Sequence, residues 1–155
     1  MTTMEKKIFV PRGIRNNNPL NIRIGNNWAG KKTPNTDGTF EQFVSLDYGI
    51  RAALIILNNY MFKFNLKTIR SIISRWAPRS ENNTERYIEY VSCRMDYDAN
   101  KELSFTYKQM CDLVLAMARM ECGCEITKDD FRAGWNLAAF VFAEHRHREQ
   151  AGAQV

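Results

Sequence analysis

Glu121 is the residue whose type and position most directly suggest chemistry. Tyr107, Met110, Cys111, Val114, Met117 and Ala118 recur at helical spacing, and the next step of that series is Glu121. A carboxyl therefore closes an otherwise apolar stripe. Two effects act on it in one direction: desolvation disfavours the ionised form, and so does the negative end of a helix that stops near Gly123. Both raise the pKa, which suits a general acid working near neutral pH. On spacing alone the plainer reading prevails: a helix-end glutamate that turns to solvent or pairs with Arg119 or Lys128.

The first 45 residues supply polar and aromatic groups of a carbohydrate-binding kind. Asn16, Asn17, Asn18 and Asn21 carry amides that both donate and accept, matching sugar hydroxyls and N-acetyl groups. Trp28, between Gly25 and Gly30, offers an indole that can stack on a pyranose face. Trp76-Ala77-Pro78 and Glu81-Asn82 mark a helix exit and the loop after it. Asn17, Asn18, Asn21, Arg23, Trp28, Trp76 and Asn82 are the candidate substrate-binding residues. Turn chemistry explains the asparagines at least as well, and core anchoring explains Trp28. Asp37 and Glu41 are the carboxylates nearest a proposed hairpin. Either can face Glu121 as a second carboxylate, and either can be a solvated hairpin charge.

Other chemistries find no support. There is no Ser/His/Asp order, P-loop, glycine-rich dinucleotide turn or metal motif. His145 and His147 sit among charged neighbours and read as surface residues. Cys93, Cys111, Cys122 and Cys124 read as small free thiols, since Cys122-x-Cys124 is too tight for a usual zinc half-site and no secretory signal argues for disulfides. No metal or organic cofactor is expected.

Positioning these groups requires a fold, and 155 residues at 45% hydrophobic and 25% charged are enough for one core. Residues 1–45 hold three of the four prolines and half of the glycines and read as a loop and β-rich lobe. Asn21-Ile22-Arg23-Ile24 and Phe40-Glu41-Gln42-Phe43 alternate as the arms of a small hairpin. Residues 46–145 read as a helical lobe. Ile50, Leu54, Leu57 and Met61 define one helix after Ser45 or Asp47. A second runs from about Thr68 to Trp76, stopped by Pro78. A third starts near Asn83 or Thr84 and buries Tyr87, Ile88 and Val91. The fourth spans roughly Tyr107 to Glu121, and the fifth begins at Thr127 with Thr127-x-x-Asp130 as a capping box. Residues 146–155 read as a frayed tail. The expected class is α+β, mostly helical: a single two-lobed domain with a small β-hairpin lobe and a cleft between the lobes.

The net charge of +5 favours an anionic partner such as nucleic acid, anionic lipid or the bacterial wall polymer. Nucleic acid is the weakest of these, because Ile69, Ile72, Ile73 and Trp76 make the second helix a core element. No apolar run approaches the ~20 residues that span a bilayer. The opening lacks an apolar stretch of signal-peptide length. Synthesis in the cytoplasm is therefore expected, with any action outside requiring a holin, a phage particle or a secretion machine.

The opening Pro11-Arg12-Gly13-Ile14-Arg15-Asn16-Asn17-Asn18-Pro19-Leu20-Asn21-Ile22-Arg23, followed by Trp28-Ala29-Gly30, resembles a family of phage and prophage proteins described as structural proteins. The likeness continues through Phe40-x-x-Phe43, Tyr48-Gly49-Ile50-Arg51-Ala52, Ile72-Ile73-x-x-Trp76-Ala77-Pro78 and Glu81-Asn82-x-Thr84-x-x-Tyr87-Ile88. Leu20 departs from the family's usual glycine. That family in turn is similar to the lysozyme and lytic transglycosylase superfamily in altered order. Thr84-x-x-Tyr87-Ile88 matches the segment whose tyrosine lies near the catalytic glutamate. Ala116-Met117-Ala118-Arg119-Met120-Glu121-x-Gly123 matches the helix end that carries that glutamate, with Cys122 in place of the usual Asn or Ser. The resemblance implies a circularly permuted lysozyme-like domain. It also implies that Glu121 is the acid, that Tyr87 orients it, and that peptidoglycan glycan strands are the substrate. Virion proteins or a secretion apparatus are the further partners it implies, and a non-enzymatic virion or wall-binding role is the alternative.

Overall fold

In a computed structural model of the chain, residues 9–152 are described, with side chains through residue 144. His145 and His147 and the tail from 146 lie outside the described side chains, and residues 153–155 lie outside the described structure. Six helices follow in order: α1 (Arg12–Arg15), α2 (Leu46–Phe62), α3 (Ile69–Trp76), α4 (Thr84–Met95), α5 (Tyr107–Cys122) and α6 (Lys128–Gly152). Residues with free side-chain acceptors open several of them. Thr68 accepts from Ser71 N while the Ser71 hydroxyl accepts from Thr68 N, a reciprocal cap on α3. Asn83 accepts from Arg86 N at the start of α4, and Thr106 from Gln109 N at the start of α5. Thr127 and Asp130 exchange bonds of 3.0 Å each before α6. The α6 backbone continues helical to Gly152, past the point where the polar sequence reads as fraying.

The apolar stripes of these helices make one core. The most extensive pairing is α2 with α6, joined by α4 with α5, α3 with α4 and α5 with α6. Ile50, Leu54, Leu57, Ile72, Ile73, Ile88, Met110, Leu113 and Phe131 are fully enclosed. Burying each such side chain contributes roughly 1.5–3 kcal/mol. Phe105, Tyr107, Phe131, Trp135 and Phe142 form an aromatic cluster beside it, with ring centroids 5.3–6.0 Å apart.

The expected α+β class, with its lysozyme-like β-hairpin lobe, does not hold. Among the described residues there is no sheet, only isolated antiparallel bridges at Arg23–Phe40, Lys31–Phe43 and Thr68–Glu102. The two alternating segments do meet, through Ile24 N to Thr39 O at 3.1 Å and Glu41 N to Ile22 O at 2.8 Å. Side chains, not a ladder, take the neighbouring backbone groups. Asn18 Nδ2 donates to Ile22 O and Glu41 O, and Asn18 Oδ1 accepts from Ile22 N. Gln42 Oε1 accepts from Thr36 N, Asn35 Oδ1 from Asp37 N and Gly38 N, and Asp37 Oδ1 from Thr39 N and Phe40 N. A backbone whose polar groups are satisfied this way has little left with which to extend a strand. Among the described residues the regular secondary structure is nearly all helical, with an irregular N-terminal lap laid across the helices.

Candidate active site

The last turn of α5 is where that lap touches the helices. Gly123, in the left-handed region at φ 69°, ends α5 just after Glu121 and Cys122. Gly13 of α1 lies so close that a Cβ there would sit 2.8 Å from Cys122 Cβ, so only glycine lets α1 seat against this turn. From α1 the chain runs into a turn in which Asn17 and Asn21 both have φ 52°, a conformation asparagine tolerates. That turn aims Asn21 at the helix end. Its Nδ2 donates to Glu121 O at 3.1 Å and lies 3.5 Å from Glu121 Oε2.

From the other side comes Tyr87 in α4. Its hydroxyl donates to Glu121 Oε1 at 3.2 Å and also lies 3.5 Å from Met117 O. The carboxyl is half-buried, and this removal from water raises its pKa above the ordinary carboxylate range. Hydrogen bonds from Tyr87 and Asn21 oppose the rise without cancelling it. Burial, reinforced by the Glu121 charge, pushes Tyr87 well above its usual value, so the phenol stays a donor. Among the described residues Glu121 enters no ion pair. Arg119 bonds Gly123 O and approaches Glu125, and Glu125 pairs with Arg94 at 2.7 Å. Cys122 Sγ donates to Ala118 O at 3.1 Å, and burial holds its thiol above the ordinary range, away from thiolate chemistry.

The structure thus joins Glu121, Tyr87 and Asn21 through side-chain hydrogen bonds, and among the described residues no side-chain hydrogen bond joins the other sequence candidates to them. Asn18 is fully buried, with its amide committed to the lap's own backbone. Asn16 is buried, donating to Asp37 and accepting from Gln42, while Asn17 donates to Phe43 O. Asp37 receives Arg12 Nε at 2.7 Å and Nη2 at 2.5 Å, Asn16 Nδ2 at 2.9 Å, and two backbone amides. Those bonds hold its carboxyl far below the usual range, which leaves it an anchor and a poor base. Glu41 is 2% exposed and its Oε2 has no partner. Arg23 pairs with Glu81 at 3.3 Å on the surface, tying the lap to the loop after α3. Asn82 is exposed and donates to Pro78 O. Trp28 is half-buried and its indole N–H bonds nothing, an arrangement that costs about 1–3 kcal/mol. Trp76 is half-buried with its ring edge-on to Tyr60 at 5.9 Å. Sequence reasoning missed Asn59 and Tyr60 beside Trp28. Their signal is a polar and aromatic pair at the end of an otherwise apolar helix.

Among the described residues, no group of three or more His, Cys, Asp or Glu is placed to hold a metal ion, and no helix is long and apolar enough to cross a membrane. No family model matches the chain. Over 130 residues the chain is 41% identical to "Protein P5" of Pseudoalteromonas phage PM2, covering 80% of this chain and 79% of that protein.

Proposed function

The chain belongs to the family of protein P5 of Pseudoalteromonas phage PM2, and from that premise we propose that it is a phage-associated enzyme that cleaves peptidoglycan glycan strands with Glu121 as general acid. The observation that carries this reading is the Glu121 carboxyl itself. It is half-buried, free of ion pairs among the described residues, raised in pKa, and held by a phenol that does not ionise. The likeness of Ala116–Gly123 to the glutamate-bearing helix end of lytic transglycosylases supports the same assignment.

The chemistry follows from that state. Protonated Glu121 gives its proton to the oxygen of a β-1,4 bond between N-acetylmuramic acid and N-acetylglucosamine. The C1–O bond breaks with its electron pair going to the leaving oxygen, and positive charge spreads over C1 and the ring oxygen. The muramic 6-hydroxyl then attacks C1, and the Glu121 carboxylate takes the hydroxyl proton, closing an anhydro ring and restoring the acid. This route needs one carboxyl. Hydrolysis needs a second; Asp37 is committed to Arg12, and Glu41 is buried, so neither offers an open carboxylate. Tyr87 is a positioning residue throughout.

Membership in a phage family supports a second reading better than it supports the enzyme: a virion structural or wall-binding protein without turnover. Digestion of purified peptidoglycan by the wild type and by Glu121→Gln, with mass spectrometry of soluble fragments, separates the two. Anhydromuramic ends released by the wild type alone support the transglycosylase. Reducing muramic ends make it a hydrolase. No release from walls of several chemotypes sinks the enzyme and leaves the second reading.

A further inference from the structure

Away from Glu121, a cleft of about 360 Å³ opens between the 26–28 loop and the C-terminal turns of α2. We propose that it binds one N-acetylated pyranose of a wall glycan, as a sugar subsite separate from the acid. The identity of the glycan rests on the function proposed above, while the class of ligand rests on the cleft. Trp28, Tyr60 and Phe64 give it ring surface, and Asn26, Asn27 and Asn59 give it amides. No charged side chain lines it. A pyranose presents apolar C–H faces to aromatic rings and hydroxyl and acetamido edges to amides, and it carries no charge to be desolvated. A phosphate or a nucleic-acid backbone asks for lining cations that the cleft lacks. The nearest cations, Arg75 and Lys63, are engaged over the Tyr60 and Phe64 rings.

The walls are fixed in advance. Tyr60 packs edge-on against Trp76 at 5.9 Å, and the Arg75 guanidinium lies 4.2 Å from the centre of the Phe64 ring and 5.3 Å from that of Tyr60. Rings held this way lose little freedom when a ligand enters. Trp28 follows Asn21 by seven residues, which span at most about 25 Å, and Asn21 touches Glu121. That bound sets the greatest separation of Trp28 from the Asn21–Glu121 contact.

The test uses the full chain carrying Glu121→Gln, so that nothing is consumed, and the tetramer of N-acetylglucosamine as the probe. Indole N–H signals of Trp28, Trp76 and Trp135 are followed by NMR, with Trp28→Phe identifying the first. Saturable movement of the Trp28 signal is expected, with affinity falling about tenfold in Asn59→Ala, a helix-compatible change at an exposed side chain. A tetramer that leaves Trp28 unmoved overturns the subsite. So does equal affinity for Asn59→Ala, or movement produced by duplex DNA and not by sugar. Peptidoglycan release by the unmutated protein is read in parallel. Release with an unmoved Trp28 leaves the glycosidase and removes the subsite. Movement without release removes the glycosidase and leaves a glycan-binding cleft.

Discussion

The Tyr87 hydroxyl lies 3.2 Å from Glu121 Oε1, joining the first turn of α4 to the last turn of α5. The two helices pack directly, so the contact is set by core side chains such as Ile88, Val91, Val114 and Met117 and not by a loop. The consequence is a division between the two carboxyl oxygens. Oε1 is occupied by a donor that stays protonated, while Oε2 faces Asn21 Nδ2 only at 3.5 Å. In the glycosidase proposed above, the more weakly held Oε2 is the oxygen that would carry and release the proton.

Tyr87→Phe is expected to shift the pH dependence of wall solubilisation. The phenol donates to the ionised carboxylate and so lowers the Glu121 pKa against the larger effect of burial. Removing it lets the pKa rise further. A general acid works in its protonated form, so the alkaline limb of the rate profile moves to higher pH, with the maximum rate down on the order of tenfold from lost positioning. A limb that stays in place removes Tyr87 from the site.

Glu121→Gln is expected to stabilise the protein at neutral pH while abolishing turnover. Because the folded pKa is raised, the folded state holds the proton more tightly than the unfolded chain. Stability is then fully present below the unfolded value of about 4.3 and is lost as pH rises through the folded one. Gln carries no charge to desolvate and can still accept from Tyr87. Thermal unfolding from pH 3 to 8 checks this: the variant should gain on the wild type as pH rises and lose the advantage below about pH 4.

Much of the helical frame is legible in the sequence because periodicity reports burial directly, as at Ile69, Ile72 and Ile73 or along the stripe that ends in Glu121. Caps are legible where one side chain serves one amide, as at Thr68, Asn83 and Thr127. The lap is not. Alternation at Asn21–Ile24 and Phe40–Phe43 describes where side chains point and says nothing about which partner the backbone takes. There Asn18, Asn35, Asp37 and Gln42 took it. The pairing of Tyr87 with Glu121 rests on packing between separate helices and entered the sequence reading only through family resemblance. Asn21 reaches Glu121 through a left-handed turn, and no spacing rule gives its direction.

Asp37→Asn is expected to weaken the fold and spare the chemistry. The carboxylate collects Arg12, Asn16 and the amides of Thr39 and Phe40, and these hold its pKa far down. Its contribution is present above the unfolded value of about 3.9 and is lost as pH falls through the folded one. The unfolding midpoint at pH 7 should drop by several degrees, and the gap to the wild type should narrow as the wild type is acidified below about pH 4. Rate per folded molecule should hold. An inactive but equally stable variant would instead make Asp37 a participant in the reaction.

Gly49→Ala decides whether the lap is clamped to α2. In an exposed helix interior this change gains about 1 kcal/mol, because alanine is the better helix former. Here a Cβ on Gly49 would lie 1.8 Å from Asn17 O and 2.9 Å from Asn17 C. Neither is the end of a flexible side chain. The backbone of Asn17 must move, and with it the turn that aims Asn21 at Glu121. Overpacking of this kind outweighs helix propensity, with a net loss of about 3 kcal/mol. Urea unfolding measures the loss, and catalytic assay of the surviving folded fraction should show reduced turnover as well. A variant more stable than the wild type would mean that the lap is not held against α2 at all.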